Sequence, residues 1–353
     1  MRQVRIRAVA AGAAIALAAS LVAACGSDSN AGSGSASAGA GAGSASAGSS
    51  SEGSASASSA SAGSSSEGSA SAGSESGGSA VDLSKDTKKA ITIPIASGWA
   101  EDVAVTHLWK YVLEQNGYTV KTPTLDIGPI FVGIAKGDYD VFFDTWLPGT
   151  HHKYWVEDGY GAKSVDIGVW YKNAPLTIAV PDYMDIDSIA DLKSIGDQVN
   201  KTITGIDPGA GETGVVKDMM KAYGLTDAGW TLKTSSSTAM LAALKKATDA
   251  KKPIVVDLWR PHWAYAAFPI KDLKDPKGAM GKPDSIHVIG SKDFAKADPG
   301  LTAALKNFTM TGDDLNSLEA ATVQDSSATE ADIEAGVKKW AGEHPDVVKA
   351  LLG

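Results

Sequence analysis

The sequence predicts a two-lobed α/β fold with a mostly parallel sheet in residues 81–353. Short β-rich runs alternate with helical patterns of about ten residues, which is typical of α/β layers with parallel strands. This alternation occurs in two successive blocks, and each block indicates one lobe. The chain then ends in helices that need a sheet to pack on, so we expect them to complete the first lobe. Two lobes connected in this way leave a cleft between them, where small ligands bind.

Hydrophobic periodicity assigns the elements of both blocks. In the first block we predict strands at 88–96, 119–125 and 140–145 and helices at 100–116 and 130–136. In the second block we predict strands at 174–180, 202–206, 231–234 and 254–258 and helices at 188–195, 213–223 and 238–249. A strand at 286–289 precedes helices at 300–308, 313–319, 330–341 and 345–352. Lobe 1 would then span about 88–176 plus 285–353, and lobe 2 about 177–284.

Residues 1–24 have the pattern of a secretion signal. Three arginines precede an apolar run that ends in Leu-Val-Ala-Ala before Cys25. A transmembrane helix is disfavoured, because the run is rich in Ala and Gly, is shorter than about 20 residues and has no basic stop signal. The run before Cys25 resembles the bacterial lipoprotein cleavage box. That resemblance implies that Cys25 becomes a lipidated N-terminus, anchored outside the cell membrane; the alternative is a plain signal peptide with an incidental cysteine.

The segment from Cys25 to residue 80 is predicted to be a disordered linker. It consists almost entirely of Ser, Ala and Gly, and residues 26–80 have no aromatic or β-branched aliphatic side chain. Such a segment cannot bury enough apolar surface to offset the entropy of ordering it. An anchor followed by a tether indicates where the protein is held, but not what it does.

Charge and cysteine content exclude several classes of function. The formal net charge of the whole chain is -9, whereas binding to nucleic acids or to anionic membranes requires a basic surface. Cys25 is the only cysteine, so residues 81–353 can form no disulfide, no thiolate metal site and no cysteine nucleophile. The adjacent His151 and His152 are poorly spaced for one metal ion. We therefore expect neither a metal nor a cofactor.

Tryptophan follows a predicted strand in three places. The sequences are Gly-Trp99-Ala-Glu, Asp-Thr-Trp146-Leu-Pro-Gly-Thr-His and Val-Asp-Leu-Trp259-Arg-Pro-His-Trp. Each indole could be a core residue, but core packing has no preference for the residues that follow a strand. Ligands of open α/β sheets, in contrast, bind at the carboxyl ends of the strands. Converging indole faces suit a quaternary ammonium, which forms no hydrogen bonds and is attracted by the negative face of a ring.

A glycine-rich loop provides a candidate anion site. Residues 205–212, Gly-Ile-Asp-Pro-Gly-Ala-Gly-Glu, precede a predicted helix, whose free N–H groups can hold a carboxylate. The loop has neither Walker nor Rossmann spacing, and an ordinary tight turn is the alternative. His151 could donate a further hydrogen bond to the same carboxylate.

These motifs, in this order, resemble the glycine betaine/proline betaine substrate-binding proteins of ABC importers over most of residues 88–353. The resemblance implies a two-lobed fold of the type II periplasmic-binding-protein kind. It also implies a trimethylammonium cage of Trp99, Trp146 and Trp259, and a carboxylate site formed by His151 and the amides of Gly211 and Glu212. The implied partners are a membrane permease and an ATPase, with an extracytoplasmic receptor that has no enzymatic activity.

One residue departs from that family's pattern. Glu212 follows the Gly-Ala-Gly motif where the family usually has an apolar residue. An inward-pointing acid would repel a ligand carboxylate and could instead bind the hydroxyl group of choline. Because residues at a helix N-terminus often point to solvent, we expect Glu212 and Thr213 to do so, which favours glycine betaine over choline.

Two other classes of function stay open. A lipid-anchored hydrolase could use His151 or His262, but the sequence has no nucleophile elbow and no Ser-x-x-Lys motif. A surface adhesion or scaffold protein would bind no small molecule at all.

Overall fold

A computed structural model describes residues 81–324 and 328–353 of the chain. The predicted secretion signal, Cys25 and the linker lie outside the described residues. Within the described ranges, no helix has both the length and the apolar character needed to cross a membrane.

The first lobe begins with alternating short strands and helices. After a 3₁₀ turn at Leu83–Lys85, the elements are β1 (Ala90–Thr92), β2 (Ile95–Ala96), α1 (Ala100–Gln115), β3 (Thr119–Lys121), β4 (Thr124–Leu125), α2 (Ile127–Lys136) and β5 (Val141–Leu147). β1 pairs in parallel with β3, and β2 with β4. The predicted strand at 119–125 is split in two at Pro123, which has no N–H to donate to a ladder.

The second lobe is built on a five-stranded sheet. A π-helical turn (Lys153–Glu157), a 3₁₀ turn (Gly161–Lys163) and the long strand β6 (Ser164–Ala174) lead to it. Its elements are β7 (Leu176–Pro181), a 3₁₀ helix (Ile189–Val199), β8 (Thr202–Gly205), α3 (Gly211–Ala222), β9 (Thr231–Thr234), α4 (Ser237–Asp249), β10 (Val256–Trp259), α5 (Ala264–Ala267) and β11 (Ile270–Asp272). The strand order is β11-β7-β10-β8-β9.

The chain then returns to the elements of the first block. β12 (Asp284–Ser291) lies between β5 and β6 in a three-stranded sheet. The helices that follow are α6 (Lys292–Ala297), α7 (Pro299–Asn307), α8 (Gly312–Thr322), α9 (Glu330–Glu343) and α10 (Pro345–Ala350). Trp109 of α1 contacts Phe143 of β5 and Phe308 after α7, with ring centroids 5.7 and 5.4 Å apart, so these helices share the core of the first lobe.

The prediction of a mostly parallel sheet is wrong. β12 is antiparallel to both β5 and β6, and β7 is antiparallel to both β10 and β11. The strands β6 and β11 were not predicted at all. β6 contains several irregularities in its pairing with β12, so its buried positions do not alternate and the two-residue period that indicates a strand is lost.

Asp86 joins the start of the described chain to the returning helices. Its carboxylate accepts hydrogen bonds from the backbone N–H groups of Gly300 and Leu301, at 2.7 and 2.9 Å, in the first turn of α7. It also accepts one from the Tyr118 hydroxyl at 2.8 Å. These three donors would lose their partner without the carboxylate.

We expect Asp86→Ala to lower the free energy of unfolding by about 2 kcal/mol, because buried donors would be left unpaired. Urea denaturation followed by far-ultraviolet circular dichroism measures the change. Asp82→Ala is the matched control, since Asp82 is exposed and its side chain interacts with its near neighbours Ser84 and Lys85. Equal stabilities of the two variants would contradict the stabilising role given to the Asp86 carboxylate.

Candidate functional site

A cavity lies where the two lobes meet, with a volume of about 260 Å³ that includes space open to solvent. It is lined by Trp99, Glu101, Trp146, Thr150, His151, Leu176, Ile206, Ala210, Glu212 and Trp259. Five of the six residues predicted to bind ligand therefore share one cavity. The sixth, Gly211, packs directly behind the lining: a Cβ at Gly211 would lie 2.1 Å from the carbonyl oxygen of Thr150.

Both lobes contribute to the cavity through equivalent elements. β5 and β10 deliver Trp146 and Trp259 at their carboxyl ends, and each is followed by a proline turn. The first turn of α1 provides Glu101, and the first turn of α3 provides Glu212. Strand exits and helix starts from opposite lobes therefore face each other across the cavity.

The indoles of Trp146 and Trp259 are held by hydrogen bonds to carboxyl groups. Trp146 donates from Nε1 to Asp144 at 2.6 Å, and Trp259 donates from Nε1 to Glu101 at 2.9 Å. Trp99 stacks on the His151 ring, with centroids 5.6 Å apart and planes 8° apart. Because the indole N–H groups of Trp146 and Trp259 are already paired, these rings present apolar, electron-rich surface to the cavity.

Hydrogen bonds join the two lobes at three places, one of which runs from the backbone N–H of Trp263 to the Glu319 carboxylate of α8 at 2.7 Å. The bond from Trp259 to Glu101 joins β10 to α1. The Tyr154 hydroxyl donates to the carbonyl oxygen of Gly209, at 2.8 Å, in the loop before α3. The described structure is therefore a closed arrangement of the lobes.

His151 is a neutral hydrogen-bond donor. Its Nδ1 accepts the backbone N–H of Trp146 at 2.9 Å, so the ring proton resides on Nε2. Nε2 is buried and has no hydrogen-bond partner within the described residues. Burial lowers the pKa of His151 to about 3, so the imidazole carries no charge at neutral pH.

Carboxyl groups dominate the electrostatics of the cavity. Burial raises the pKa of Glu101 to about 7 and that of Asp257, on β10, also to about 7. Burial, with the nearby Asp257 and Glu101 carboxyls, holds the pKa of Glu212 well above its usual range. None of the lining residues is Lys or Arg. The cavity therefore suits a cationic group.

The expectation that Glu212 and Thr213 point to solvent is wrong. Their exposed fractions are 3% and 0%. Glycine at position 211 allows α3 to begin against the backbone of the opposite lobe, so the first turn of the helix is inserted between the lobes.

Sequence reasoning assigned no role to Asp144 and Asp257. Asp144 accepts a hydrogen bond from the indole of Trp146. Asp257 lies two residues before Trp259, and one of its carboxylate oxygens is 3.4 Å from the backbone N of Ile206. The pattern Asp-x-Trp, present in both strands, is a signal that could have identified them. Within the described residues, no group of three His, Cys, Asp or Glu side chains is arranged to hold a metal ion.

Comparison with known proteins places residues 89–343 in one family, described as the substrate binding domain of the ABC-type glycine betaine transport system. The chain belongs to this family. The similarity confirms the resemblance found in the sequence, and it gives no support to a hydrolase.

Relatives and solved structures agree with this assignment. The glycine betaine/carnitine transport binding protein GbuC of Listeria monocytogenes is 40% identical over 156 residues, which are 44% of this chain and half of the Listeria protein. The glycine betaine/proline betaine-binding periplasmic protein of Escherichia coli is 27% identical, over 72% of this chain and 87% of its own length. The closed structure of lactococcal OpuAC with glycine betaine has a TM-score of 0.68 and 32% identity, over 75% of this chain and 100% of that one.

The raised pKa of Glu101 predicts a pH dependence of stability. The folded protein keeps a proton on this group that the unfolded chain releases above the ordinary pKa of 4.5. The free energy of unfolding should therefore fall as the pH rises from 4.5 to about 7, by roughly 1 kcal/mol per pH unit for this group.

Glu101→Gln should reduce this slope in urea denaturation of the ligand-free protein between pH 5 and pH 7. Glu343→Gln, at an exposed position of α9, is the control and should keep the original slope. Parallel curves for Glu101→Gln and the original protein would contradict a protonated Glu101.

Proposed function

We propose that this protein is the lipid-anchored, extracytoplasmic receptor of an ABC importer, that it captures glycine betaine or a related quaternary ammonium solute, and that it performs no catalysis. The observation that carries the proposal is the content of one cavity. Three tryptophans, one neutral hydrogen-bond donor and no basic side chain surround it.

The tryptophans would bind the trimethylammonium group. Methyl groups on nitrogen cannot form ordinary hydrogen bonds, so such a group is held by ring faces, each contributing about 0.5–2 kcal/mol when water is excluded. Trp99, Trp146 and Trp259 are all less than 8% exposed, so the rings provide a largely dry surface. The carboxyl groups behind them add a negative potential that favours a cation.

The ligand carboxylate would lie between His151 and the start of α3. The Nε2–H group of His151 has no other partner in the described structure. The first-turn amides of Gly211 and Glu212 lie at the positive end of the helix dipole, which favours an anion. With its ammonium group at the indoles and its carboxylate at His151 and α3, glycine betaine would thus contact both lobes.

Delivery would depend on closure of the lobes. A ligand that touches both lobes favours the closed form by its difference in affinity for the two forms. The closed form would then be recognised by a membrane permease that is driven by an ATPase. Attachment through Cys25 would keep the receptor near that permease, and the support for this step is the sequence before residue 26.

Choline is the second candidate ligand. The inward-facing Glu212 favours it, because an ionised carboxylate could accept a hydrogen bond from the choline hydroxyl. A choline binding protein in complex with choline has a TM-score of 0.66 to this chain, but at 21% identity the similarity concerns only the fold.

Titration of the purified protein with glycine betaine and with choline tests the proposal. We expect glycine betaine to bind at least tenfold more tightly, because only its carboxylate uses the free His151 donor. Tryptophan fluorescence follows binding, and calorimetry confirms it. Preference for choline would overturn the carboxylate half of the site, and absence of binding for both would overturn the proposed function.

Trp146→Ala should abolish detectable glycine betaine binding, since it removes one ring face and admits water to the cage. Calorimetry with the folded variant measures the loss. Trp155→Ala is the matched control, because Trp155 is partly buried and does not line the cavity. Unchanged affinity in Trp146→Ala would remove Trp146 from the cage.

A further inference from the structure

The Glu212 side chain is the feature of the cavity that the proposed function leaves without a role. It lines the cavity, is 3% exposed, and its Oε1 has no hydrogen-bond partner within the described residues. A buried polar atom without a partner is costly, so this atom should be paired when the cavity is filled. The same is true of the Nε2–H group of His151, which lines the same cavity.

The surroundings of Glu212 determine which of its two protonation states can exist there. The titratable groups around it are Asp257 of β10, Glu101 of α1 and His151 after β5. Asp207 lies near Asp257, and the Tyr154 hydroxyl donates a hydrogen bond to the loop before α3.

The charges of these groups do not favour an ionised Glu212. His151 is neutral, and no Lys or Arg lines the cavity. A negative Glu212 would therefore face other carboxyl groups with no positive side chain to balance it. A neutral carboxylic acid, in contrast, has one O–H group to donate and needs no counter-ion.

A zwitterionic ligand supplies the matching acceptor. Its carboxylate has two oxygen atoms, and each can accept from a separate donor. The His151 imidazole offers only one N–H, because its other nitrogen already accepts the backbone N–H of Trp146. A second side-chain donor at the opposite lobe would complete the recognition of both oxygens.

We propose that Glu212, in its protonated form, donates a hydrogen bond to the ligand carboxylate and thereby makes binding of carboxylate-bearing quaternary ammonium ligands dependent on its proton. This inference rests on the proposed function and adds a residue that determines specificity. The high pKa that burial imposes on Glu212 is consistent with it. When Glu212 ionises, the donor is replaced by a negative charge facing the ligand carboxylate.

The test compares Glu212→Gln, which keeps a donor, with Glu212→Met, which has similar length and no donor. Both are titrated with glycine betaine and with choline by calorimetry at pH 7. We expect Gln to keep the glycine betaine affinity within about threefold and Met to weaken it by roughly tenfold or more. Choline, which has no carboxylate, should be affected little by either change. Glu343→Gln is the matched control at an exposed position.

A pH series from 6 to 10 tests the role of the proton. The dissociation constant of the original protein for glycine betaine should rise at high pH, by up to about tenfold per pH unit once Glu212 ionises, while that of Glu212→Gln should stay flat. Parallel profiles would overturn the proposal, as would a Met variant that binds glycine betaine as tightly as the original protein.

Two further outcomes distinguish the proposed role of Glu212 from an ionised Glu212 that binds choline, and from a failure of the proposed function. Loss of choline binding alone in Glu212→Gln would mean that an ionised Glu212 accepts the choline hydroxyl, and would overturn the proposal. Failure of the original protein to bind either ligand would contradict the proposed function itself, which the Glu212 variants do not test.

Discussion

The hydrogen bond from Trp259 to Glu101 is the interaction on which the rest of the site depends. It joins a strand end of the second lobe to a helix start of the first. The same bond fixes the plane of the Trp259 ring and pairs an oxygen of a buried carboxyl. Since donor and acceptor belong to different lobes, the bond forms only when the lobes meet. Closure would therefore assemble the proposed binding site.

The buried carboxyl groups explain how the cavity can favour a cation without a fixed ion pair. Glu101 and Asp144 lie behind the cage and accept from its indoles. In the empty protein their burial favours the neutral acid forms, which limits the cost of placing them there. A cation held beside Glu101 and Asp144 would lower the pKa of these two carboxyls, so the negative potential behind the indoles would increase when the cation arrives. Ligand binding would then release protons from these two groups.

Elements whose residues show a clear hydrophobic period or a helix cap were predictable from the sequence. The helix at 238–249 begins one residue earlier in the structure, after the N-cap Ser236, and the three strand-exit tryptophans meet in one cavity. Properties that depend on the other lobe were not predictable. The burial of Glu212 arises where Gly211 packs against the Thr150 backbone, a contact between residues distant in sequence. The strand β6 was missed because its irregular pairing hides the two-residue period.

The absence of basic side chains from the cavity lining determines how each end of a zwitterion can be held. A lysine or arginine beside the carboxylate would attract it strongly, but it would also repel the ammonium group a few ångströms away. Neutral donors avoid this conflict, and His151 is kept neutral by its burial. In the proposed complex, Glu212 is kept neutral by its burial and by the same acidic surroundings that attract the ammonium group. A single electrostatic condition, a cavity with carboxyl groups and no fixed positive charge, would thus serve both ends of the ligand.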